Sequence, residues 1–523
     1  MSPGTFPNPT QARSSRRAIV GARGARFLRM LAAAVLSACC TWTAAAAEIH
    51  RGLGPSPDTL DIHRAQGLSA FNLLRDLHEG LLTRDASGRP VAAIARQWQV
   101  SDQGRTWTFE LDPSARWSDQ SPITAADFQR GFARAVDPLT ASPTAGWLEP
   151  VQAVRVLSDH RLQIELGRAV PWFEELLTLP VTFPWPSDGR ALFSGPFVLE
   201  SRTPGARFEL RRNPYYREAD EVALESVVWH VTEDRSAELA RFRAGELHIT
   251  EAVPPGRLDW LERELGDALR IAPYLGSFYL VYNLRRAPFG NSPELREALS
   301  LAIDREIIVD RVLGTGEMPA WRLVPPGLEG WPDQPPAAAS LSPAERIERA
   351  RQLLVRAGFA DRPPTVELRF NSSLAHRRLS AAVAAMWKQH LGVATRLVNE
   401  EWKVFVTNRR HGRITEIVRG GWIADWADPG NFLGNFHSES PLNYAFFRDP
   451  VFDSLIDRAE RARDPARIRL LWQAEERLLD RNAIIPLYYY VSRHLVHPGI
   501  AGYEDNPMDI HLSRWLSLRP GVR

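Results

Sequence analysis

The stretch GGWIADWADPGNF, residues 420–432, sets two carboxylates, Asp425 and Asp428, among two tryptophans, a phenylalanine, glycines and a proline. A carboxylate held against aromatic surface is costly to desolvate unless a cation pairs with it. The chemistry on offer is recognition of a positive charge, supplied by an arginine of the chain or by a ligand. Asp428 directly precedes Pro429, a setting in which an acid shapes the following turn. Taken alone, Asp425 also fits an ordinary loop acid or a helix cap.

Catalytic patterns do not compete for this role. GLSAF (67–71) and GNSPE (290–294) lack the final glycine of a nucleophile elbow, and GLGPSP (52–57) fails the dinucleotide pattern at its last position. HEGLL (78–82) lacks the second histidine of a zinc-protease helix, and the thirteen histidines show no metal-ligand spacing. The paired acids Glu174/Glu175 and Glu475/Glu476 sit in amphipathic patterns and read as solvated helix faces. The sequence therefore predicts no enzyme, no metal and no cofactor.

The elements that must position Asp425 are legible around it. TVELRF (365–370), VATRLV (393–398) and ITEIVRGG (414–421) read as strands, and HRRLSAAVAAMWKQHLG (376–392) and EWKVFVTNRRHG (401–412) as helices between them. This β-α-β-α-β order predicts a mainly parallel sheet with right-handed crossovers. Ligands of such sheets bind beyond the carboxyl ends of the strands, and Asp425 lies just past the third. Elsewhere, TWTFEL (106–111) alternates as a half-buried strand, and the following helix has Thr124 and Asp127 as a capping box and ends at Asp137-Pro138. The pattern from Ser292 to Gly314 reads as one helix with Pro293 in its first turn, burying positions 295, 298, 299, 302 and 303. Ser342, Pro343, Glu345 and Gly358 bound another. Proline-rich stretches at 180–186 and 325–336 are loops.

The 523 residues exceed one simple core, and their hydrophobic and charged shares, 44% and 24%, are those of a soluble globular chain. Six arginines and no acids lie in residues 1–47; beyond them acids outnumber bases, which gives no reason to expect a nucleic-acid partner. The basic stretch to Arg29 and the apolar run MLAAAVLSA read as an export signal, too short to span a bilayer. Two cleavage readings stand: LSAC (36–39) with lipid on Cys39, or cleavage after the small residues Ala45 and Ala47, before Glu48. Both cysteines lie at 39–40, so the body has no disulfide and no thiol chemistry.

Several ordered blocks carry a resemblance. RDLHEGLLTRDASGRPVAAIARQWQVSDQGRTWTFEL (75–111), ARWSDQSPITAADFQRGFARAVDPLTASP (115–143), LREALSLAIDREIIVDRVLGTGEMPA (295–320), EWKVFV (401–406), GGWIADW (420–426) and IIPLYYYVSRHLVHPGIAGY (484–503) are similar to blocks of the bacterial family 5 extracellular solute-binding proteins. The resemblance implies an α/β fold of the periplasmic binding protein type II kind, with two lobes joined by hinge strands and an extra domain. One lobe would be 48–78, 186–275 and 492–523, with 79–185 packed on it; the other would be 276–491. It also implies a periplasmic, monomeric, non-catalytic protein that captures short peptides and delivers them to the permease of an ABC importer in the inner membrane. In peptide-binding members the acid of the GW-x-x-D segment, here Asp425, pairs with the peptide's α-ammonium group. Gly420 and Ile423 would lend backbone groups to an extended peptide. Trp422 and Trp402 align with pocket aromatics. His376, Arg410 (or Arg409) and Arg419 align with groups that meet the peptide carboxylate at different peptide lengths.

The departures touch the same pocket. Gln120 replaces a signature glycine, Ile62 a proline, Thr144 a ligand-contacting tyrosine and Gln66 a pocket glutamate, while 147–155 and 183–195 are short. A disulfide of some relatives is absent from both its positions, Gly276 and Ile423. Rival expectations are therefore a metal chelate, haem, a sugar or a cell-wall peptide as ligand, or a chaperone on this scaffold.

Overall fold

The computed structural model describes residues 47–520 except 255, 415 and 464. The export segment with Cys39 and Cys40 lies outside the described residues, apart from Ala47. Among the described residues no helix is long and apolar enough to cross a membrane.

Alternating side chains build a four-stranded antiparallel sheet in the order Ala95–Ser101, Thr106–Leu111, Arg161–Leu166, Val151–Ser158. Trp107, Phe109 and Leu111 point inward, as the TWTFEL pattern predicts. The capping box of Thr124 and Asp127 starts helix Ala125–Val136, whose Phe128 and Phe132 join the same core. Gln120, standing where the resembling family has glycine, is held in the left-handed region at φ 74°. Such a conformation costs a non-glycine residue about 1–2 kcal/mol.

A second sheet orders Glu48–Gly54, Ser226–Val231, Arg207–Arg212 and Phe197–Thr203, its first pair parallel and the rest antiparallel. The third sheet has six strands, ordered Met318–Pro319, Ile484–Leu495, Leu269–Tyr282, Ile417–Ile423, Thr365–Asn371, Ala394–Glu400. Its last three strands are mutually parallel, with helices Leu374–Leu391 and Trp402–Arg410 between them in sequence. The expectation of a mainly parallel sheet is corrected beyond them. Strand 269–282 runs antiparallel to both 417–423 and 484–495, and pairing so distant in sequence leaves no local pattern to read. Strands 269–282 and 484–495 pair along their length, and bridges from Val496 to Ile249 and from Ile249 to Arg51 tie their far end to the second sheet. The expected lobe boundaries at 275/276 and 491/492 fall inside these two strands.

Two further expectations change. The pattern from Ser292 is not one helix: it ends at Leu301, and Asp304 caps a new turn by accepting from Ile307 N at 3.0 Å. The restart puts Arg305 inside the lobe, where its Nε donates to the carbonyls of Ala320 and Pro486, each at 2.9 Å. Glu475 is not a solvated helix face. It is fully buried, accepts from the backbone N–H of Leu323 and Val324, and pairs with Arg322 at 3.1 Å. Glu175 likewise pairs with buried Arg84 at 2.7 Å.

Candidate binding cleft

Strand 417–423 carries the cleft. Its apolar residues Ile417 and Val418 are buried, and its glycines let neighbouring chains approach. A Cβ on Gly420 would lie 2.6 Å from Tyr279 Cε2. One edge is sealed by strand 269–282, from Tyr282↔Ile417 to Gly276↔Ile423. On the other edge strand 365–371 pairs only at Leu368↔Ile417 and Arg369↔Val418. From Arg419 to Ile423 that edge has no strand partner among the described residues.

Backbone parity decides which groups face the open edge. Ala424 N donates to Leu275 O at 2.8 Å, and Asn283 N donates to Glu416 O at 2.7 Å. Even-numbered residues of the strand therefore turn their N–H and C=O toward 269–282, and odd-numbered ones turn away. Gly421 and Ile423 present backbone groups to the open edge. Gly420 does not, which corrects its expected role: its lack of a side chain serves packing against Tyr279.

The two acids of the opening stretch separate completely. Asp428 is closed by its own protein: both its oxygens meet Arg467 at 2.7 Å, and Oδ1 also accepts from Gly430 N. Asp425 has no cation partner among the described residues. Asn431 Oδ1 accepts from Trp422 Nε1 at 2.6 Å and from the Asp425 backbone at 3.4 Å, holding the turn while leaving the Asp425 carboxyl uncommitted. Asp425 is exposed, yet partial desolvation by the surfaces around it raises its pKa to about 6.

At the other end of the open edge the sign reverses. Arg419 donates to Asn371 Oδ1 at 2.9 Å and lies 5.7 Å from the Phe278 ring. Arg409 lies 4.3 Å over the Tyr444 ring. Neither has an acid partner among the described residues, and burial lowers the Arg419 pKa. Both line a recess of about 80 Å³ with Gly421, Trp422, Phe436 and Tyr444. Of the two arginines at 409–410, Arg409 lines this recess; Arg410 is exposed and outside it. Helix geometry separates adjacent residues by about 100°, so one residue of offset exchanges pocket for solvent.

His376 lies 5.6 Å from Phe278 with its Nδ1 buried and unpartnered. It does not cap its helix: Ser373 does, accepting from His376 N at 3.4 Å. Burial, helped by Arg419, pushes its pKa down to about 4, so near pH 7 it is neutral and can meet a peptide carboxylate only through an N–H. Trp402 is 49% exposed and stacks on Phe405 outside the recess. Ile423 is 46% exposed at the strand end.

Residues the sequence reading did not single out complete the walls. Trp426 stacks on Trp172 at 4.1 Å, and Ala427 N donates to Glu175 at 3.4 Å. Beside them opens a cleft of about 1410 Å³ lined by Arg89, Trp172, Arg467, Trp472 and Met508 among others. Tyr444, Asn431 and Trp172 had no signal in local pattern; Gly421 was recoverable from strand alternation.

Comparison with known proteins agrees with this architecture. The sequence model for bacterial extracellular solute-binding proteins, family 5 (middle region), matches residues 89–444. A periplasmic oligopeptide-binding protein of Salmonella typhimurium is 35% identical over 526 residues, covering 92% of this chain and 96% of its own. Among solved structures, a periplasmic murein tripeptide-binding protein in its unliganded open form superposes with a TM-score of 0.84 at 31% identity, covering 91% of this chain and 98% of that one. The Haemophilus influenzae oligopeptide-binding protein in complex with RPPGFSPFR gives 0.71 at 30% identity, covering 91% and 99%.

Proposed function

The chain belongs to the bacterial extracellular solute-binding proteins of family 5, and from that premise we propose that it is the binding component of an ABC importer, capturing short peptides and passing them to the inner-membrane permease. Asp425 carries the reading. A carboxyl whose pKa desolvation raises to about 6, with no cation partner among the described residues, is complementary to a ligand ammonium. The peptide's α-ammonium pairs with Asp425, and its main chain adds antiparallel to the open edge through Gly421 and Ile423. Its carboxylate meets Arg419, with Arg409 and an N–H of neutral His376 nearby, and Trp422 flanks a side chain. The strand from 419 to 423 is about 13 Å long, the span of a tri- or tetrapeptide. Backbone pairing ignores side-chain identity, so many sequences bind.

Strands 269–282 and 484–495 act as the hinge between lobe 48–78/186–275/492–523, carrying domain 79–185, and lobe 276–491. The stacked Trp172 and Trp426 belong to opposite sides of that closure. Residues 1–47 direct export to the periplasm. The protein acts as a monomer, without catalysis or nucleic acid.

Two guanidinia in one recess, neither with an acid partner among the described residues, favour a second reading: a peptide bearing extra carboxylates, as cell-wall peptides do. Calorimetry with tri- to pentapeptides, free and N-acetylated, tests the main proposal, and adding acidic peptides separates the second. Equal affinity for free and acetylated peptides rejects the role of Asp425.

A further inference from the structure

Away from the cleft, His494, Asp509 and His511 converge where strand 484–495 meets the C-terminal segment. Asp509 Oδ1 lies 2.8 Å from His494 Nε2 and 3.0 Å from His511 Nε2. One nitrogen or oxygen of each residue lies within 4.8 Å of the others. Supporting contacts aim these atoms. His494 Nδ1–H donates to the Thr250 carbonyl at 3.0 Å, which turns Nε2 toward Asp509. Metal-binding histidines are commonly oriented in this way by a carbonyl on the other nitrogen. Tyr503 stacks on the His511 ring at 4.0 Å and 18°. The Asp509 side chain is 21% exposed while both imidazoles are nearly buried, so the cluster opens to solvent on its carboxylate side.

We propose that His494, Asp509 and His511 form a binding site for a divalent transition-metal cation of the zinc class, with water completing the coordination. Two imidazoles and one carboxylate are a nitrogen and oxygen set that zinc accepts, with an open fourth position. Calcium and magnesium demand more oxygens than the cluster offers, and Cu(I) favours sulfur. With zinc bonds of about 2.0–2.2 Å, tetrahedral ligand atoms sit about 3.3–3.5 Å apart. The observed contacts must therefore open by about half an ångström, within the reach of side-chain rotation. Without an ion, protons hold the cluster: burial opposes a charge on His494, but Asp509 outweighs it and raises the pKa to about 9. On binding, the Nε2 proton of His494 leaves to solvent and the His511 proton moves from Nε2 to Nδ1, so Asn506 Nδ2, 3.4 Å from that Nδ1, must draw back toward the Ile510 carbonyl it already meets at 2.9 Å.

No sequence spacing announces this cluster. Asp509 and His511 are two residues apart, and His494 joins them from 15 residues before Asp509, across the end of a strand. A bound ion would fasten the C-terminal segment to strand 484–495, independently of what the cleft binds.

The test is calorimetry of the full chain, stripped with chelator, titrated with zinc chloride and separately with calcium chloride, followed by thermal denaturation with and without zinc. One zinc ion per chain at micromolar affinity or tighter, a raised Tm, and no response to calcium are expected. Asp509→Asn and His511→Gln should each weaken zinc binding at least tenfold. Circular dichroism identifies a variant that fails to fold; His511→Gln, which keeps the His494–Asp509 pair, then decides. No saturable zinc binding in the unaltered chain, or affinity undiminished in folded His511→Gln, overturns the proposal.

Discussion

Glu79 is a buried carboxylate and Asp425 an exposed one, and they differ further in what answers their charge. Glu79 is 2% exposed and fully engaged: Tyr216 Oη donates at 2.6 Å, Arg217 Nε at 2.9 Å and Arg514 Nη1 at 2.9 Å. Arg514 also bonds Tyr216 and Glu218. Three distant stretches of chain thus close one network, and a closed network specifies structure. Asp425 lies past one end of the open strand edge and Arg419, with Arg409 beside it in one recess, at the other, and none of the three has an oppositely charged partner among the described residues. An unmatched arrangement of this kind is costly to keep unless a ligand completes it.

The largest effect should come from breaking the closed network. Glu79→Ala takes one of two acid partners from each of two buried guanidinia, leaving both to share Glu218, and loss of one partner from a buried pair costs about 3–5 kcal/mol. A large fall in Tm is expected, read by circular dichroism; an unchanged Tm would mean the network is ornamental. Asp425→Asn should do the reverse. It should leave Tm equal or slightly higher, because the folded state holds the Asp425 pKa above its unfolded value, so ionisation at neutral pH opposes folding. Its cost should appear in peptide affinity, about 2 kcal/mol or more, which is about 30-fold or more.

The contrast between these two acids was only half legible in the sequence. Local devices were readable because neighbours in sequence make them: the capping boxes at Thr124/Asp127 and Ser342/Glu345, the left-handed stop at Gly392, the inward alternation of Trp107, Phe109 and Leu111. The position of Asp425 beyond a strand end was readable for the same reason. Features set by distant partners were not. The facing of Gly420 and Gly421 depends on hydrogen bonds to 269–282, and the choice of Arg409 over Arg410 on where a helix lies against the sheet. The burial of Glu475 depends on Arg322, 153 residues earlier in the chain. His494, Asp509 and His511 meet only after the C-terminal segment returns to its strand.

Acidity sharpens the comparison further. Both partners must be charged, so affinity should be greatest near pH 7, decline modestly toward pH 8 as the peptide's α-ammonium (about 7.7–8.0) loses its proton, and fall as pH drops through about 6, by about tenfold per unit below it. Calorimetry between pH 8 and 5 reads this, and Asp425→Asn should abolish the fall on the acid side. A smaller effect belongs to the contact across the cleft. A double-mutant cycle of Trp172→Ala and Trp426→Ala should give a coupling of about 0.5–1.5 kcal/mol in Tm-derived stability or peptide affinity. Zero coupling would remove this stack from the closure.

The most direct measurement crosses peptide acetylation with the Asp425→Asn substitution, comparing one tripeptide in free and N-acetylated forms on both proteins. The account predicts that acetylation weakens binding strongly on the unaltered protein and hardly at all on Asp425→Asn. Equal losses on the two proteins would contradict the pairing of Asp425 with the peptide ammonium.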